Sequence, residues 1–345
     1  MDEFKAWAST ADPAPRSVRG RCLPYGKGVT YWPLSDILKH EAGVRYTDPP
    51  DVALKKIEET ALRLFSPRFC ADPARATSAL CFTVGLLGQD RSLTELEPRQ
   101  VGLAISAAWR SFFSALAGDR PTIVIVEDIH WADTAMLELL EDLVDHAKGR
   151  LLFLCSARPE LTARRQDWGG GRRNASTILL EPLAAPDAAR LLDLLVTDAL
   201  SGAIRTQILE RAGGNPFFLG ELIGLFLEVL VAQAANRSPE GRDIREFPRP
   251  ADAGLHIPDT VQGVLAARMD QLDPGDKRTL QFAAVVGKVF WSGVVARLLH
   301  QGRYEVEDAL ARLENRGLVL ARLGSTVEGD HEYAFKHILT RDTAY

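Results

Sequence analysis

The sequence predicts an α/β core built on a parallel sheet, continued by an all-helical region and closed by a small module of helices and a hairpin. Three observations carry that reading. The runs "TIVIVED" (122–128) and "RLLFLCSARPE" (150–160) are apolar without alternation, so as strands they are buried on both faces. The amphipathic stretch "ADTAMLELLEDLVDHAKG" (132–149) lies between them, and strand-helix-strand order at this length implies a parallel pair. From Pro182 onward apolar residues recur at helical spacing, until "LVLARLG" (318–324) and "HEYAFKH" (331–337) flank "STVEGD" as the arms of a hairpin.

The elements follow in order. "MDEFKAWAS" reads as an acidic, amphipathic helical fragment, and "RSVRGRCL" (16–23) as a strand. "PLSDILKHEAG" (33–43) is a short helix and "PDVALKKIEETALRLF" (50–65) a longer one opened by proline in its first turn. Two more helices are expected near 73–87 and 98–117. In the second, Val101, Ile105, Ala108, Trp109, Phe112, Phe113 and Leu116 share one face, which argues for core packing. After the strand-helix-strand unit come helices at 185–200, 201–214 and 215–234. A polar, Pro/Arg-rich stretch then reads as a linker (237–256), followed by helices at 257–272, 274–287, 291–301 and 304–317. Helices followed by a hairpin of this size point to a winged-helix module.

The totals exclude several functions. A chain of 345 residues with 46% hydrophobic and 25% charged residues has material for two or three domains with cores. Its net charge of -5 argues against broad binding to nucleic acid or acidic membranes. Cys22, Cys70, Cys81 and Cys155 lie far apart, without a C-x-x-C or a histidine at ligand spacing, and read as buried thiols of a reducing cytosol. The apolar stretch "FFLGELIGLFLEVLVAQAA" carries Glu221 and Glu228, which favours a buried helix over a membrane span.

"GRCLPYGKGVTYWP" (20–33) has the look of a phosphate-binding loop but fails its pattern. G-x-x-x-x-G-K-[ST] lets backbone N–H groups wrap the phosphates while lysine and hydroxyl reach the terminal phosphate and magnesium. Counting from Gly26 and Lys27, the first glycine position holds Arg21 and the hydroxyl position Gly28. No other stretch of the chain fits the pattern. Glu127 and Asp128, by contrast, end an apolar strand, where one carboxylate can hold magnesium through water and its neighbour can orient or deprotonate an attacking water. The alternative is a solvated acidic turn. Asp133 stands where a helix N-cap belongs.

The segment "IVIVEDIHWADTAMLELL" closely resembles the strand and helix of the signal-transduction ATPases with numerous domains. These are P-loop ATPases found beside bacterial class III adenylate and guanylate cyclases and in large LuxR-type activators. The signature stands here as Glu127, Asp128, His130, Trp131, Ala132 and Asp133. The first acid is more often Asp in related ATPases, so the role of Glu127 is less defined than that of Asp128. "GRCLPYGKGVTYWPL" resembles the segment after the family's second strand. "LLFLCSARPE" resembles the sensor strand, whose arginine, here Arg158, approaches the γ-phosphate; a surface arginine at a strand end is the plainer reading. "RAGGNPFFLGEL" is similar to the lid motif with a proline, here Pro216, beneath the adenine, although Gly213, Gly214 and Asn215 also make a plain helix stop and restart. "FKHILTRDTAY" is similar to the closing motif in which a histidine, here His337, contacts the diphosphate; a histidine packed at a helix start is the alternative.

The resemblance implies a parallel-sheet P-loop NTPase core, incomplete at the N-terminus (1–181), a helical lid (182–236), the linker and a winged-helix domain (257–345). It implies ATP or ADP and Mg2+ as cofactors of the complete protein, and an effector domain or regulatory protein as partner. Because "MDEFKAWAS" matches the helix that follows the family's phosphate loop, the chain is expected to be a fragment with impaired nucleotide binding. Two other readings compete. One is a non-catalytic scaffold that keeps the fold. The other is a DNA-binding winged helix, disfavoured because its candidate recognition helix carries Glu305, Glu307, Asp308 and Glu314.

Overall fold

Five buried residues in succession make Thr122–Glu127 the middle strand of the first sheet. Strands β1 (Arg16–Arg21), β2 (Thr122–Glu127) and β3 (Leu151–Cys155) run parallel in the order β1-β2-β3. The computed structural model of the chain describes residues 1–23, 30–45, 47–86, 93, 95–170, 172–196, 200, 202–235, 260–322 and 325–345. These divide between two units, Met1–Ile178 and Leu179–Tyr345. Gly26, Lys27 and Gly28 and the expected linker at 237–256 lie outside the described residues.

In the first unit, alternate residues of β2 face two different cores. Val124 and Val126 join the main core, while Ile123 and Ile125 meet Ala8, Phe4 and Leu154, so the short helix α1 (Asp2–Ala8) covers the second face. Four helices connect β1 to β2: α2 (Trp32–Glu41), α3 (Pro50–Leu64), α4 (Pro73–Thr83) and α5 (Pro98–Asp119). Each has proline in its first turn, where the missing N–H has no intrahelical partner to lose. By length and composition α5 is the one described helix apolar enough to cross a membrane. Its Trp109, Phe112 and Phe113 are instead fully enclosed, with Phe113 edge-on to Phe153 of β3. Helix α2 is fastened to β1 at Gly20, where a Cβ would stand 2.0 Å from the Pro33 carbonyl oxygen.

A single helix, α6 (Thr134–His146), returns the chain from β2 to β3. Asp133 caps it as its sequence position requires, accepting from Met136 N at 2.9 Å. Among the described residues the outer edge of β3 has no strand partner, and Leu152 is 46% exposed there.

The second unit begins with α8 (Ala185–Leu195), α9 (Gly202–Ala212) and α10 (Pro216–Ala235), which follow the short α7 (Glu160–Arg164) of the first unit. Leu192, Ile208, Leu219 and Leu222 form their core, which Val264 of α11 (Val261–Asp270) completes. There follow α12 (Pro274–Val286), β4 (Val289–Trp291), α13 (Ser292–Leu299), α14 (Arg303–Asn315), β5 (Val319–Ala321), β6 (Glu332–Phe335) and α15 (Ile338–Ala344). The expected hairpin is present as β5 and β6, antiparallel with Leu320 opposite Ala334. Strand β4 is a correction to the sequence reading, which gave Trp291 to a helix and left 288–290 unassigned. Three residues are too few to show a period, and β4 exists because β6 pairs with it, Phe290 opposite Tyr333.

Buried charge ties this unit together. Arg268 of α11, 5% exposed, reaches Glu221 and Glu228 of α10 and the carbonyl of Arg316. Gly224 leaves it room, since a Cβ there would stand 3.0 Å from the Arg268 Cζ. Glu332, 3% exposed, accepts from Trp291, Thr326 and Arg322.

Candidate functional site

The carboxyl end of β2 carries the acid pair, and the register of the sheet decides what meets it. Arg21 lies opposite Glu127, and because side chains alternate along a strand, Arg19 shares its face. Arg19 Nη2 donates to Glu127 Oε1 at 2.5 Å, and Arg21 Nη2 lies 3.2 Å from Glu127 Oε2. Arg21 Nε lies 3.0 Å from Asp128 Oδ2. The signal for these arginines in the sequence is their i, i+2 spacing on a strand, which carries no mark of the acids they face.

Asp128 itself is left-handed, at φ 57° and ψ 38°, a conformation that Asp tolerates better than most residues and that ends the strand abruptly. The chain then makes one 3-10 turn, Ile129–Trp131, whose backbone is sewn to the residues after β3. Ile129 N donates to the Ser156 carbonyl at 2.9 Å, and Asp128 N to Ser156 Oγ at 3.3 Å. Arg158 N donates to His130 Nδ1 at 3.4 Å. Asp128 and the backbone of Arg158 are therefore held as one rim, with the Arg158 side chain exposed.

His130 is 9% exposed, and burial lowers its pKa below the ordinary histidine value. With Nδ1 accepting, the neutral ring carries its proton on Nε2, a buried atom without a described hydrogen-bond partner. Trp131 beside it is 46% exposed. Burial pushes the Cys22 and Cys155 thiols up to about 12, so neither is a thiolate nucleophile near neutral pH.

Magnesium does not fit this donor set as it stands. Both oxygens of Glu127 and one of Asp128 face guanidinium nitrogens, whereas a hard divalent cation needs unpaired carboxylate oxygens.

The other expected residues lie in the second unit. Gly213 and Gly214 have φ of 55° and 74° and end α9. Leu183 N donates to the Gly214 carbonyl at 2.8 Å, leaving no space for a side chain at Gly214. Asn215 Oδ1 accepts from Phe217 and Phe218 at 3.0 and 3.1 Å and so restarts the chain as α10, with Pro216 exposed in its first turn. His337 caps α15, its Nδ1 accepting from Leu339 N at 3.2 Å, and its ring stacks on Phe217. Pro216 and His337 thus belong to segments that meet through an aromatic contact, while each also serves the helix-boundary role its sequence allowed.

Known proteins give the following likenesses. Residues 6–154 match the AAA ATPase domain family model. An uncharacterized protein, R02095, of Rhizobium meliloti (strain 1021) is 25% identical over 332 residues, 94% of this chain and 29% of that protein. The chain therefore spans less than a third of the length of that relative. Among solved structures, a signal-transduction ATPase with numerous domains (STAND) from Pyrococcus horikoshii, bearing a tetratricopeptide repeat sensor, is 11% identical. The alignment covers 99% of this chain and 41% of that one, at a TM-score of 0.43. A RuvB of Thermotoga maritima is 15% identical, covering 68% and 74% of the two chains, at a TM-score of 0.27. The part of the chain that is similar to the AAA ATPase domain family, residues 6–154, thus contains β1, β2 and the acid pair.

Proposed function

We propose that the chain is the regulatory ATPase module of a multidomain bacterial signalling protein of the STAND type, a nucleotide-dependent switch. The observation that carries this is the rim itself: Asp128 at the end of the buried strand, sewn through Ser156 and His130 to Arg158. Such an arrangement lets Asp128 orient an attacking water while Arg158 reports the terminal phosphate. Pro216 and His337 are assigned to nucleotide contact. The order helix, strand, two helices and hairpin over 274–335, with the sheet order β4-β6-β5, supports the winged-helix reading. The signalling output is a cyclase or a LuxR-type transcriptional activator.

One observation favours a second reading, a scaffold that keeps the fold without catalysis: the acid pair is already ion-paired. DNA binding is disfavoured, because the exposed residues of α14 include Glu305 and Asp308, and Arg312 is committed to Asp276.

Calorimetry with ATP on this chain, beside ATP turnover by a longer protein carrying G-x-x-x-x-G-K-[ST] ahead of residue 1, tests the assignment. The chain alone is expected to bind ATP weakly, and Asp128→Asn in the longer protein to lower turnover by about 100-fold or more. Micromolar binding by the chain alone would place the phosphate site elsewhere. Unchanged turnover and regulation in Asp128→Asn and Arg158→Ala would favour the scaffold.

A further inference from the structure

We draw no further inference here: the strongest candidate, the exposed apolar run of Ile178, Leu179 and Leu180 in the segment between α7 and α8, is an unpartnered apolar surface, and nothing in the structure shows what covers it.

Discussion

His337 lies flat against Phe217, the ring centroids 4.0 Å apart and the planes 24° from parallel. The contact joins the start of α10 to the start of α15, two helix boundaries 120 residues apart in sequence. It brings beside each other two of the motifs that the sequence marked separately.

A double-mutant cycle measures that contact. Phe217→Leu and His337→Ala are each expected to destabilise the second unit, with a coupling energy of about 0.5–1.5 kcal/mol between them. Urea unfolding followed by a probe in this unit reads it, and additive effects would show that the stack contributes nothing of its own.

Arg268 predicts a larger loss. Removing it leaves Glu221 and Glu228 buried without their cation, so Arg268→Ala is expected to cost about 3–5 kcal/mol. Gly224→Ala crowds the same guanidinium and is expected to cost about 1–3 kcal/mol. The replacement Arg268→Met with Glu221→Leu and Glu228→Gln, which removes the charges together, should recover much of the first loss. Urea midpoints of the four proteins order them.

His130 gives a pH dependence with a definite sign. Its native ring is held neutral below the ordinary value of 6.5, chiefly by burial, so below that pH the unfolded chain binds a proton the folded one lacks. Stability is fully present above about pH 6.5 and is lost as pH falls toward the folded pKa. His130→Asn keeps an acceptor for Arg158 N and is expected to flatten this slope in thermal melts between about pH 5 and 7. An unchanged slope would assign it to other groups.

The open edge of β3 predicts association. Among the described residues β3 is an edge strand, and an apolar edge with Leu152 exposed is a template for intermolecular pairing. Leu152→Lys is expected to lower the sedimentation-detected oligomer fraction at high concentration without shifting the far-ultraviolet spectrum. Equal association in both proteins would place the contact surface elsewhere.

Asp133 offers a smaller, local check. Its carboxylate satisfies the N–H of Met136, and Asp133→Ala is expected to cost about 1 kcal/mol in unfolding free energy, with Asp133→Ser recovering part of it.

Much of this architecture was written in short-range pattern. "TIVIVE" is unalternating and apolar because both its faces are covered, and that requirement is readable from six letters. The cap at Asp133, the glycine stop at 213–214 and the restart at Asn215 are likewise local chemistry, each satisfied within four residues. Strand β4 was not legible, since its residues are extended through their pairing with β6, some 40 positions away.

The acid pair shows the division most clearly. Sequence alone determined that Glu127 and Asp128 end a buried strand, because an apolar run followed by two charges can stop only at a surface. Only the tertiary structure decided what faces them. Arg19 and Arg21 lie more than 100 residues earlier, and the parallel register of β1 on β2 sets Arg21 opposite Glu127. No local period records that register, so the ion pairs that define the charge of the rim exist only once the sheet has formed.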